Sequence, residues 1–167
     1  ALCLHIGIHI NIIKNSLKNF TGIQRRLTKV FSINKREFFD DYAHHPTEIR
    51  SVLKSLKITS LGRKVVSVFQ PHRYSRLKLL KKDFASAFKY SDLVILCPVY
   101  PAGEKIDKKY NPINFAELIS KNSKVQVITI ENENDLKNFF IKNLLEDEIV
   151  VCMGAGSISK WIREMNL

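Results

Sequence analysis

Short runs of continuous apolar residues, alternating with stretches of helical periodicity, constrain this chain more than any other feature. Lys64–Gln70, Asp92–Cys97, Val125–Ile130 and Glu148–Met153 are such runs, brief and rich in β-branched residues. Leu93-Val94-Ile95-Leu96 has no polar side at all, which suits a strand covered on both faces in a parallel sheet. Between these runs, Leu77, Leu80, Phe84 and Phe88 are spaced for one helix with a buried face. So are Ile49, Val52, Leu53 and Leu56 after Pro46, and Leu136, Phe139, Phe140 and Leu144. Asn111-Pro112 suits the start of a helix through Phe115, Leu118 and Ile119, and Trp161, Ile162 and Met165 mark the last helix. Strands alternating with helices imply right-handed βαβ crossovers. The fold class is therefore α/β: a Rossmann-like, mostly parallel sheet with helices on both faces.

The first forty residues read differently. The chain begins at Ala1, within a segment that already looks mid-helix, as a piece of something longer would. Ile10, Ile13, Leu17 and Phe20 predict a short helix after Gly7, ended by Thr21-Gly22. Arg25–Phe31 predicts a short hairpin strand, Ser32–Lys35 a turn, and Glu37–Tyr42 the next strand.

With 167 residues the chain can hold one domain with a proper core, or one domain plus a fragment of another. No apolar run approaches a membrane span, and no signal peptide is visible. Cys3, Cys97 and Cys152 are odd in number and far apart, which predicts free thiols in a reducing cytoplasm rather than disulfides or a metal site. A net charge of +11 attracts polyanions. The 27 lysines and arginines are nevertheless scattered, in blocks no longer than two, without aromatic interleaving. A solvated basic surface is the better reading than a nucleic-acid or nucleotide-binding module.

The chemistry concentrates in Asp40-Asp41-Tyr42-Ala43-His44-His45-Pro46-Thr47-Glu48, between a strand and a helix. One such residue is enough to cap a helix, so a cluster of this kind points to a site. In open α/β sheets ligands bind beyond the carboxyl ends of the strands. Pro71–Arg76, Val99–Glu104 and Gly154–Ser157 would reach the same edge, whereas Ser60–Gly62 and Asn122–Lys124, on the other edge, are plain turns. Arg73 and Arg76 suit bidentate capture of a carboxylate or phosphate. Cations at a helix start oppose its dipole, so the pair calls for a compensating anion, which a ligand would supply. Gly154-x-Gly156 is half of a dinucleotide fingerprint and reads better as a tight packing turn. No Gly-x-x-x-x-Gly-Lys-Thr/Ser phosphate loop and no metal-ligand pattern occurs.

Phe20-x-Gly22-Ile23-x-Arg25-Arg26, the Asp40–Ile49 segment, Phe69–Arg76, Val99-Tyr100-x-Ala102-Gly103-Glu104 and Gly154-Ala155-Gly156 occur in this order. Together they closely resemble the C-terminal domain of the Mur ligases of peptidoglycan synthesis, and within them the branch that adds L-alanine to UDP-N-acetylmuramate. The related branch that recycles murein tripeptide is not expected to carry Phe-Gln-Pro-His-Arg-Tyr-Ser-Arg. The resemblance implies ATP-dependent, ADP-forming ligation through an acyl phosphate. Residues 1–19 would be the tail of the central ATPase domain, and residues 20–167 the C-terminal domain. It also implies an alanine pocket of Tyr42, His44, Arg73 and Arg76, and nucleotide contacts from Arg26 and Asp41. The arginines or His44 would bind the alanine carboxylate, and His45 would support the pocket or help accept the amine proton, with His44 and His45 the catalytic pair. Arg25, Glu104, Gly154 and Ser157 would line the edge. Mg²⁺, the phosphate loop and the uridine site would belong to the central and N-terminal domains, which leaves this fragment inactive alone.

Overall fold

The strands are β1 (Thr28–Ile33), β2 (Arg36–Asp41), β3 (Val65–Phe69), β4 (Leu93–Leu96), β5 (Gln126–Thr129) and β6 (Ile149–Met153). In the computed structural model, which describes residues 2–20 and 22–167, they form one six-stranded sheet in the order β1-β2-β6-β3-β4-β5. Only β1 runs antiparallel; every other neighbouring pair is parallel. The central strands β3 and β6 are buried at every position, in keeping with residues that are apolar except for Ser67, whose hydroxyl pairs with that of Ser91.

Helices cover both faces. On one, α3 (Pro46–Thr59), α5 (Lys81–Ala85) and α6 (Pro112–Ser123) bury Ile49, Leu53, Phe84, Phe115 and Ile119. On the other, α7 (Glu133–Asn143) and α8 (Ile158–Glu164) bury Leu136, Phe140, Ile158 and Ile162. The helix expected across Leu77–Phe88 is divided into α4 (Tyr74–Leu79) and α5, because Leu80 leaves the helical range at φ −106°, ψ 21°. Phe84 and Phe88 are still buried, so the periodicity reported burial correctly and continuity wrongly.

The N-terminal part holds the other differences. Two short helices, α1 (Leu2–His5) and α2 (Ile10–Lys18), contain no buried residue. The strand expected from Arg25 begins at Thr28 instead, because Arg25 and Leu27 adopt φ of +58° and +47°, incompatible with extended pairing. The hairpin turn shrinks to Asn34-Lys35, both left-handed, a two-residue connection that matches the twist of its strands. Cys97 and Cys152 are buried and Cys3 is exposed, all three as free thiols. Among the described residues no helix is long and apolar enough to cross a membrane.

The strand order positions the site. β2, β6, β3 and β4 are parallel neighbours, so the loops after Asp41, Met153, Phe69 and Leu96 leave one edge side by side.

Candidate functional site

Period-two alternation sends Asp40 and Asp41 to opposite faces of β2. Asp41 is buried, and its oxygens accept the N–H groups of Leu27 and Ala43, each at 2.7 Å. It thereby ties the strained Arg25–Leu27 loop to the strand-to-helix turn. Burial pushes its carboxyl up, against the pull of both amides and Arg26. Tyr42 N–H donates to the Arg25 carbonyl at 2.8 Å. The Arg25 guanidinium lies 4.6 Å from the Tyr42 ring centroid and donates to the Gly154 carbonyl at 2.6 Å. Asp40, fully buried, accepts from Ser159 Oγ at 2.6 Å and from Arg163 at 3.0 Å, which anchors α8 to β2.

His44 and His45 separate into two tasks. His45 is the N-cap of α3: its Nδ1 accepts the Thr47 N–H at 3.3 Å, while the Glu48 carboxylate accepts the N–H groups of His44 and His45. His44 Nδ1 lies 2.9 Å from the Tyr42 carbonyl. A carbonyl only accepts, so this contact puts the ring proton on Nδ1 and leaves the lone pair on Nε2 free.

After β3 the chain turns through Pro71 and His72. Arg73 N–H donates to the Tyr100 carbonyl at 2.9 Å and Tyr100 N–H to the Pro71 carbonyl at 2.8 Å, which locks two site loops together. Arg73 holds φ +71°, a strained value of the kind found at functional loops. An Arg76 guanidinium nitrogen lies 3.3 Å from His72 Nδ1. Because a guanidinium only donates, His72 carries its proton on Nε2, the reverse of His44. Burial, then Arg76, His44 and Arg73, hold the His72 imidazole below its ordinary pKa, so it favours the neutral form.

The dipole at the start of α4 has its own counter-charge. The Glu104 carboxylate accepts from the Ser75 N–H and hydroxyl, and these bonds hold it below the usual carboxylate range. The anion that the Arg73–Arg76 segment called for is thus partly supplied by the protein itself. The turn after β6 is equally built. Buried Gln70 accepts the Ile158 N–H at 3.0 Å and donates to Ser157 Oγ at 3.0 Å. A Cβ on Gly156 would stand 2.5 Å from both Gln70 Oε1 and Tyr100 Cγ, so only glycine lets Tyr100 close against the turn.

The outcome is a row of rings along the edge. Tyr42 meets His44 at 5.1 Å, His44 meets His72 at 5.8 Å, and His72 stacks on Tyr100 at 5.7 Å. Arg76 touches this row through His72, and Arg26 approaches it at 6.0 Å from the Tyr42 centroid. Among the described residues, Arg26, Arg73 and Arg76 have no carboxylate at ion-pair distance. Unpaired guanidinium groups beside one imidazole that accepts and one that donates suit a ligand carrying both a carboxylate and an amine. No group of three or more His, Cys, Asp or Glu that could hold a metal ion occurs among the described residues. Residue reasoning missed the assignment of His72 and Tyr100, although both lie in segments it singled out. Gln70 and Asp40 act through burial, which the sequence pattern did not reveal.

The fold is a mostly parallel sheet with one antiparallel edge strand, and residues 25–156 match the Mur ligase, glutamate ligase domain family; the chain belongs to that family of ligase domains. The chain is 50% identical, over 99% of its length, to UDP-N-acetylmuramate–L-alanine ligase of Pelagibacter ubique, and 37% identical to that of Rickettsia massiliae, again over 99%. It spans about a third of those relatives, 36% and 35% of their lengths. Its structure superposes on the UDP-N-acetylmuramate–alanine ligase MurC of Thermotoga maritima with a TM-score of 0.76 at 26% identity. That match covers 97% of this chain and 34% of the other.

Proposed function

We propose that this chain is the C-terminal domain of an ATP-dependent, ADP-forming ligase that joins L-alanine to UDP-N-acetylmuramate in the cytoplasm. Residues 1–19 are the tail of its central domain and residues 20–167 the domain that closes over the nucleotide. The observation that carries this reading is the trio of unpaired guanidinium groups beside the Tyr42–His44–His72–Tyr100 row; the names of the relatives supply the substrates.

Arg73 and Arg76 clamp the alanine carboxylate, so that it cannot compete with the amine. The N–H at His72 Nε2 is a further donor to that carboxylate. Tyr42 walls the side chain, and His44 Nε2 accepts the proton that the ammonium must lose to become a nucleophile. His45 supports this from its capping position. Arg26 reaches for phosphate from the loop that Asp41 holds, while Arg25, Glu104, Gly154 and Ser157 keep the edge in shape. ATP, when bound, activates the lactyl carboxylate of UDP-N-acetylmuramate as an acyl phosphate. The chain offers Mg²⁺ no ligand cluster among its described residues, so the metal is assigned to the central domain and no step here runs through it.

The test uses the protein carrying all three domains. Alanine-dependent ADP release is expected there and not from the 167-residue chain alone. Arg73→Ala should raise the KM for L-alanine by about tenfold or more and leave that for ATP unchanged. An unaltered alanine requirement would refute the pocket.

A further inference from the structure

A cleft of about 250 Å³ lies between α4 and the start of α6, lined by none of the residues of the ring row. Its floor is apolar, built from the buried side chains of Leu77 and Phe115. Tyr74 and Tyr110, edge to face at 5.7 Å, form a wall. The rim is cationic: Lys78, Lys81 and Lys109 are exposed, and among the described residues none has a carboxylate at ion-pair distance. Asp107 is the single acid in the lining, and its Oδ1 already accepts the Lys109 N–H at 2.9 Å. The Tyr110 hydroxyl is buried and has no hydrogen-bond partner among the described residues.

We propose that this cleft binds a small aromatic anion, one ring carrying a phosphate or carboxylate group. Each half of the lining selects one half of that ligand. A bare inorganic anion would leave the floor of Leu77 and Phe115 in water, and a neutral ring would leave three ammonium groups without a counter-charge. The volume lies just under the roughly 300–1,000 Å³ of drug-sized pockets, which limits the occupant to a single ring and its acidic group. The cleft shares helix α4 with Arg76 but none of its lining residues with the ring row, so it is a second site and does not depend on the ligase reading.

Phenyl phosphate is the probe, titrated into the isotopically labelled 167-residue chain and followed by amide chemical shifts. Saturable shifts at Lys78, Tyr110 and Asn114 are expected, with inorganic phosphate and benzyl alcohol each binding at least about fivefold more weakly. The double variant Lys78→Ala/Lys81→Ala, both surface positions, should weaken phenyl phosphate by about fivefold while preserving the spectrum of the fold. Arg73→Ala should leave the affinity at the cleft unaltered. Equal affinity for inorganic phosphate, an unaffected double variant, or shifts confined to Arg26, Arg73 and Arg76 would each overturn the proposal.

Discussion

His72 is depressed in pKa because folding buries it and sets Arg76, His44 and Arg73 around it, with Glu104 the opposing charge. The unfolded chain titrates its histidine near the ordinary value of about 6.5. Below that pH the unfolded state takes up the proton first, so stability should fall as pH drops from about 7 towards 5. His72→Asn should flatten that part of the profile, measured as urea midpoints of both proteins across the window. Sequence alone isolates Phe-Gln-Pro-His-Arg as unusual, yet it cannot assign tautomers. Those depend on whether a carbonyl or a guanidinium faces Nδ1, and the partners lie in other turns of the chain. The same limit explains His45, whose imidazole looks identical to that of His44 until the helix start is seen to use it.

At the level of elements, α3 begins with reciprocal capping by His45 and Glu48, and the same glutamate lies 3.5 Å from His44 Nδ1. Glu48→Ala should cost about 1 kcal/mol, read as a lower urea midpoint with an unchanged slope. It should also loosen His44, visible as broadening of its imidazole resonances. Strands β3, β4 and β6 were legible because a strand covered on both faces must be almost wholly apolar, Ser67 being the one polar residue among them. Helix continuity was not legible at Leu80, since burial of Leu77 and Phe84 is compatible with one helix or two. The start of β1 was not legible either. Its position follows from left-handed backbone at Arg25 and Leu27, whose partners, the Tyr42 N–H and the Asp41 carboxylate, are distant in sequence.

Across the whole molecule, the carboxyl edge is held to the far layer by Asp40, which bonds Ser159 and Arg163 of α8 while Arg25 waits 3.9 Å away. Asp40→Ala should destabilise by about 3 kcal/mol, towards the lower end for a buried pair because Arg163 is partly exposed. The loss should appear first as faster amide exchange in α8. Topology was legible in outline, because alternation forces crossovers and crossovers gather loops on one edge. The insertion of β6 between β2 and β3 was not, yet it brings Gly154 against Arg25 and Tyr100 against Gly156.

The three thiols turn this architecture into a clock. Cys3 is exposed on α1, whereas burial removes Cys97 and Cys152 from solvent and raises both thiols well above their ordinary pKa. Thiolate is the reactive species, so a native molecule should consume one equivalent of a disulfide reagent promptly. The second and third equivalents should follow only at the rate at which β6 and the end of β4 part from their neighbours. Absorbance of the released thiolate then times the opening of the sheet centre directly, without denaturant or label.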